Sequence, residues 1–511
     1  MTTPLTVTES SHPTHDLRRL FTGGSTVLFA SAIGNGINYT FGIFLARSLG
    51  ANEFGLYALA LTLFNILTLT AVFGMDTCVT KFVSRYLEEG QPAKVRETVT
   101  VSTCIAMGLG FIAATGLGLL AGPLATDIYG KPELANSLLF FAAAIPFATL
   151  TTVLVSTLQA YQTVRYTILI KYIWEPIAKF VFAGILLGAG FQLLGVLASI
   201  VVTLAVSAIL SLRAVYGLIF DKSDAPLAWS AREMKTLLAY GVPLALSNVF
   251  GIVAPRSDVL ILGYWVNAQE VGIYLAAFQT AAIISLVLGA FETGLAPIIS
   301  RAWTQQDLTR MTDSYQAVSR LSITISLPIF CCLLLLASDI LKVFGPEFAR
   351  GAAALMILAT GQLFHNSTGS ANTVLLMSGH SRLVMTNTVV MGVALLATTA
   401  LLIPLWGITG AAIAASMTFI LTNVVRIIQV WRLHHIQPYT WSLMKPIAAA
   451  ATATGILITI QNSTVSIPGF FLGLTLGALY LIGLLLLGIH QQDRLVIQSL
   501  LTMVKSLIKT E

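Results

Sequence analysis

The sequence predicts an all-α polytopic membrane protein of 14 transmembrane helices, built as two six-helix lobes in a parallel repeat plus two extra C-terminal helices. Three observations predict it. First, of 511 residues 56% are hydrophobic and only 10% charged, against roughly 25% charged in soluble domains. Second, apolar stretches of about 20 residues, the length a bilayer-spanning helix needs, recur along the whole chain. Third, segments 217 positions apart resemble each other, ANEFGLYALA at 51–60 and AQEVGIYLAA at 268–277. The mean hydropathy of +0.84 and the short supply of charge exclude a soluble enzyme, a nucleic-acid-binding module and a disordered chain. The net charge of +6 suits the Lys and Arg that collect in cytoplasmic loops, not a nucleic-acid footprint.

In chain order, residues 1–20 are polar and end in Arg18 and Arg19, a cytoplasmic N-terminal segment. The apolar run behind them is too long for a secretory signal. The predicted spans are 21–46, 53–75, 98–121, 135–159, 167–190 and 193–219, making an N-terminal lobe over 21–219. A cytoplasmic linker, 220–236, follows. The spans 237–264, 270–295, 318–341, 350–377, 383–403 and 407–431 make a C-terminal lobe over 237–432. Spans 443–460 and 468–489 fall in the segment 433–490, outside the repeat. In the tail, 491–511, Val496, Leu500, Val504 and Leu507 share a face, as expected of an interfacial amphipathic helix.

Charge tests this map. With a cytoplasmic N-terminus, only Arg47, Lys131, Lys342 and Arg350 of the 28 basic residues fall in outer connections, and Lys179 and Arg256 fall inside spans. The remaining 22 lie inside, so the bias supports an even number of crossings and two cytoplasmic termini. The repeat agrees. Glu53 pairs with Glu270, Gly55 with Gly272 and Tyr57 with Tyr274, and Asp76 with Glu292 one position out of step. An even number of spans separates the copies, so they are parallel, with a substrate site expected between them at the membrane midplane.

The helix-two opening NEFGLYALA, its second copy QEVGIYLAA and the segment LIPLWGITGAAIAASMT at 402–418 resemble the polysaccharide and O-antigen flippases of the multidrug/oligosaccharidyl-lipid/polysaccharide exporter superfamily. The resemblance covers essentially the whole chain. It implies transport of a polyprenyl-(pyro)phosphate-linked oligosaccharide across the cytoplasmic membrane by alternating access. It implies as partners the lipid-linked glycan, membrane lipids, H+ or Na+ as a coupling ion, and glycan polymerase or glycosyltransferases of the same pathway. A cation-coupled multidrug exporter of the same fold remains the alternative. A membrane glycan polymerase or ligase is a weaker one, because the outer connections are too short and neutral for catalysis.

Ionisable groups inside a bilayer are expensive and face a cavity or a partner. Lys179, four residues after Glu175, is a candidate phosphate ligand or half of an ion pair with it. Arg256, permanently charged and fork-shaped, suits a pyrophosphate. Asp258, two residues on, projects about 200° away and needs another partner, an arginine elsewhere or a coupling cation. It matches the acidic residue often found at this place in the family. His365 heads a polar stripe with Gln362, Asn366 and Gly369, open to proton coupling or interhelical bonding. Ser31, Asn35 and Asn38 on helix one, Thr62, Asn65 and Thr68 on helix two and Asn248 on helix seven offer hydroxyls and amides for sugar, or interhelical glue. Asp76 with Arg85 and Glu292 with Arg301 occupy matching cytoplasmic ends and are candidates for an inner gate. Pro146, Pro176, Pro243, Pro255 and Pro328 interrupt spans. The cysteines Cys78, Cys104, Cys331 and Cys332 show no CxxC spacing and are expected buried and reduced. No phosphate loop, metal-binding spacing or nucleophile elbow occurs, so no cofactor, metal or catalytic residue is expected.

Overall fold

The computed structural model describes residues 25–161, 164–220, 230–248, 251, 256–461 and 469–488. The expected N-terminal segment, most of the linker, Pro255 and the amphipathic tail lie outside the described residues. Among the described residues the chain is helical with short connections and holds no strand. That is the expected answer to hydrocarbon, where each backbone N–H and C=O must find a partner within its own segment.

The first half of the chain comprises α1 (Ser25–Val72), α2 (Met75–Glu88), α3 (Pro92–Pro123), α4 (Leu134–Ala160), α5 (Glu175–Gly188) and α6 (Gln192–Val215). Proline stands in the first turn of α3, where its missing N–H is harmless. A π-helical turn, Ile168–Trp174, leads into α5. The second half comprises α7 (Ala231–Asn248), α8 (Ser257–Trp265), α9 (Ala268–Ala281), α10 (Ile283–Thr304), α11 (Leu308–Leu335), α12 (Ala337–Lys342), α13 (Ala352–Ser367), α14 (Ala371–Met377) and α15 (Ser381–His434). Then come α16 (Met444–Gln461) and α17 (Gly469–Leu487).

Eight helices among the described residues are long and apolar enough to cross a membrane. α1 has 48 residues and α15 has 54. Straight, each would reach about 70–80 Å, more than twice the ~30 Å hydrocarbon core. Each is instead bent at one glycine, Gly50 (φ 77°, ψ 171°) in α1 and Gly407 (φ 54°, ψ −128°) in α15. Glycine takes positive φ without the Cβ clash other residues meet. Two predicted stretches therefore share each of these helices.

Within the predicted stretch 237–264, α7 is described to Asn248 and α8 from Ser257, and of the residues between only Gly251 and Arg256 are described. The cysteines are all free, but Cys104 is exposed, not buried as expected. Its helix carries Phe111, Ile112 and Leu119, also exposed, so this face of α3 suits lipid.

The two copies of the repeat touch at matching glycines. A Cβ on Gly55 would fall on the backbone carbonyl of Ala268, and one on Gly272 on that of Ala51. This small-residue contact lets α1 and α9 approach closely, as small residues do between membrane helices. Around it the two halves share one apolar core, from Phe54, Leu59 and Phe141 to Tyr274, Phe344 and Phe348. At the opposite end two smaller apolar clusters form. Met75, Val79, Val83 and Val99 of the first half cluster with Leu237 of α7, and Leu295, Ile299, Met311 and Val318 cluster within the second half. The large shared core lies at the Gly50 end, where Lys131 Nζ also donates to Gly263 O at 2.6 Å. α16 and α17 pack on α11 through a separate cluster, with Tyr480 OH donating to Thr324 O at 2.7 Å.

Candidate substrate cavity

A cavity of about 450 Å³ lies beside the shared core. Its wall comes from both arms of α1, from α5, from Arg256 at the cap of α8, and from α9 with the start of α10. The bend at Gly50 turns α1 back on itself, so residues of its two arms line one space. Asn35 and Asn38 are three apart on the first arm, and Thr62 and Asn65 three apart on the second. Neighbours at that spacing share a helix face, and all four line the cavity together with Lys179 and Arg256.

Lys179 reaches this space because its expected ion pair does not form. Glu175 is instead bound by Lys171 Nζ at 2.9 Å. Lys171 sits in the π-helical turn before Glu175, and helical side chains lean toward the preceding turn, so the carboxylate meets Lys171. The Lys179 ammonium lies 5.2 Å from the centre of the Phe41 ring, a cation–π contact.

Arg256 and Asp258 diverge as their spacing predicts. Arg256 lines the cavity, while Asp258 is only 2% exposed. The partner found for Asp258 is not an arginine. Its Oδ2 accepts from Tyr274 OH at 2.5 Å and its Oδ1 from the Val259 N–H at 2.7 Å. The phenol comes from the second copy of the repeat. Tyr57, the matching residue of the first copy, lines the cavity instead.

His365 is not among the described residues that line this cavity. It lines a second, smaller one of about 240 Å³ with Thr388, Thr422, Asn423 and Arg426. Its Nδ1 lies 3.1 Å from Asn423 Nδ2. Asn366, from the same predicted stripe, donates to Ile284 O at 2.5 Å and Ser326 Oγ at 2.8 Å, which ties three helices together. The side chain of Asn248 lies outside the described residues, as does that of Ser31's neighbour Ala30.

Neither candidate gate pair meets. Asp76 opens α2 and Arg85 closes it. Nine residues of helix separate charges by about 13 Å along the axis. Arg85 Nε instead binds Glu89 at 2.6 Å on the surface. Glu292 accepts from Thr373 Oγ1 at 3.4 Å and faces the charge of Arg426, while Arg301 lies in the last turn of α10.

Gln279 and Tyr39 were not anticipated. Gln279 lines the cavity, and its Oε1 is buried without a hydrogen-bond partner among the described residues. The rule that singles out Asn65, an amide within an apolar run, also applies to AAFQTAA. Tyr39 OH lies 3.0 Å from Thr280 Oγ1. The described lining thus carries two cations, four amides and no carboxylate.

The sequence profile described as polysaccharide biosynthesis protein matches residues 21–303, more than half of the chain. The chain belongs to the polysaccharide biosynthesis protein family. The MatE profile matches residues 243–401. Among curated proteins, this family member is 26% identical over 406 residues to the probable low-salt glycan biosynthesis flippase Agl15 of Haloferax volcanii, covering 78% of this chain and 81% of the relative. It is 22% identical over 456 residues to the probable flippase AglR of the same organism, with 85% and 89% coverage. Among solved structures, the lipid II flippase MurJ in an inward closed conformation aligns with a TM-score of 0.64 at 14% identity, over 88% of this chain and 98% of that one. An inward-facing multidrug resistance MATE transporter aligns with the same TM-score at 13% identity, over 78% and 94%. At these identities the structural likeness establishes the fold, that of MATE and MurJ proteins.

Proposed function

We propose that this membrane protein is a flippase that moves a lipid-linked oligosaccharide across the cell membrane by alternating access. Fourteen crossings in two six-helix lobes, with both termini cytoplasmic, are the arrangement through which it acts. The observation that carries the reading is the sign of the cavity. Lys179 and Arg256 line it without a carboxylate among the described lining residues, which suits a phosphate or pyrophosphate headgroup. A cationic drug would meet only repulsion there. Asn35, Asn38, Asn65 and the unsatisfied Oε1 of Gln279 suit sugar hydroxyls, because a buried acceptor without a partner gains when a ligand donates to it. The names of the glycan flippases among the relatives support the same cargo class.

In this mechanism the headgroup enters from the end opposite the large shared core, while the polyprenyl tail stays in the bilayer. Asp258, sealed by Tyr274, is a candidate for ion coupling that acts from outside the cavity wall.

The test is leaflet translocation in vesicles, with lipid-linked sugar and a cationic dye offered to the same preparation. Wild type moves the sugar lipid and leaves the dye. Lys179→Ala and Arg256→Ala each slow sugar-lipid movement about tenfold, the loss of one charge-assisted hydrogen bond. Movement of the dye alone would refute the proposal.

A further inference from the structure

We propose that Glu347 is a helix cap that the second half of the chain lends to the first, and that this borrowed cap latches the two halves together at the Gly50 end. The two copies of the repeat differ at this turn. Position 50 in the first copy corresponds to position 267 in the second, one residue before ANEFGLY and AQEVGIY. In the second copy this residue is Asn267. Its backbone is extended (φ −70°, ψ 164°) and its side chain accepts from the Glu270 N–H at 2.9 Å. That is an ordinary N-cap, closed within its own helix.

In the first copy the residue is Gly50, which has no side chain to cap with. Its φ of 77° is one a side chain at this place would resist. The arm that begins at Ala51 therefore starts with unsatisfied N–H groups and the positive end of the helix dipole. Glu347 answers both. It stands in the short 3-10 turn Pro346–Gly351 of the second half, and its Oε1 accepts from the Ala51 N–H at 2.6 Å.

The same loop makes other bridges. Arg47 Nε, one turn before the bend, donates to Val343 O at 2.7 Å. Phe348 meets Phe54 edge-on at 6.0 Å, and Phe344 meets Tyr39 at 5.7 Å. A cap held within one helix persists whatever the two halves do. A cap lent across them exists only while they are together, so parting them at this end leaves Ala51 uncapped and Glu347 without its N–H partner. The repeat is thereby asymmetric at this turn.

The experiment is a spin-label distance measurement on the full chain in lipid nanodiscs. One label sits at Asp127→Cys and the other at Arg350→Cys, both exposed positions, with the four native cysteines replaced. Wild type gives mainly one short distance. Glu347→Ala is expected to raise the longer-distance population about fivefold, the equilibrium equivalent of one lost N-cap. Glu347→Gln keeps an acceptor oxygen without the charge and is expected to raise it by a smaller factor. Asn267→Ala, which removes the cap held in cis, is expected to lower the melting temperature while leaving the distances at the wild-type values. A Glu347→Ala distribution superimposable on wild type overturns the latch. So does an Asn267→Ala shift as large as that of Glu347→Ala. Should Glu347→Ala fail to purify as folded protein, Glu347→Gln decides alone, and an unshifted distribution overturns the proposal. No cargo is present, so the result is independent of the transport reading.

Discussion

Single atoms decide two things in this molecule: how closely the repeat copies approach and what charge the cavity offers. Gly55 and Gly272 leave no room for even a methyl group, because each would strike the backbone of the other copy. Gly55→Ala is therefore expected to destabilise by about 1–3 kcal/mol, the usual range for overpacking a rigid contact, measured as a fall in melting temperature of the detergent-solubilised protein. Gly116→Ala in α3 is the matched control. Nothing lies within 4 Å of its added Cβ, and alanine favours helix, so its melting temperature should hold or rise. Equal losses in the two variants would show that propensity, not contact, governs. Arg256 offers a second test at this scale. Arg256→Lys keeps the charge but removes the planar fork that binds phosphate through two bonds. Sugar-lipid translocation should recover only in part relative to Arg256→Ala, and full recovery would show that charge alone is read.

Elements show how far a sequence speaks for itself. The apolar runs and the polar residues Asn35, Asn38, Asn65, Lys179 and Arg256 were legible, because each such residue is a local departure from an apolar background. What was not legible depends on partners distant in the chain or on helix register. Spacing favours Glu175 pairing with Lys179, but the π-helical turn brings Lys171 to the carboxylate instead. Nothing near Asp258 in sequence announces Tyr274, 16 residues on and in another helix. His365 has the right chemistry for the cavity but stands on α13, whose polar face packs toward Asn423 and a separate chamber. The same element logic yields a prediction for Gly407. Its φ of 54° with ψ of −128° suits glycine alone, so Gly407→Val should straighten or misfold α15. It is expected to cost about 1–3 kcal/mol, the range for a strained backbone position, again read from the melting temperature. A melting temperature within error of wild type would mean that the bend needs no glycine.

At the scale of the whole molecule, the distribution of core determines the side from which the cavity is reached. Both halves contribute to one apolar cluster at the Gly50 end, and Phe54, Phe344 and Phe348 are almost wholly buried there. At the other end the packing is split into two smaller clusters, one of which joins α2 and α3 to Leu237 of α7, so the larger shared core closes the Gly50 end. Polar reagents should therefore reach Asn65, in the cavity wall, from the end opposite that core. With the native cysteines replaced, Asn65→Cys should react with a membrane-impermeant thiol reagent in vesicles that present that opposite end to the medium. It should stay unreacted in vesicles of opposite orientation, and Leu486→Cys, 82% exposed on α17, should react poorly in both if that face lies in hydrocarbon. On the proposed topology the end opposite the shared core faces the cytoplasm, so inside-out vesicles are the expected reactive set. Combining Asn65→Cys with Glu347→Ala then joins the argument to the latch. Loss of the lent cap should let label in from the Gly50 end, whereas labelling from that end with Glu347 intact would mean that the shared core does not close the cavity there.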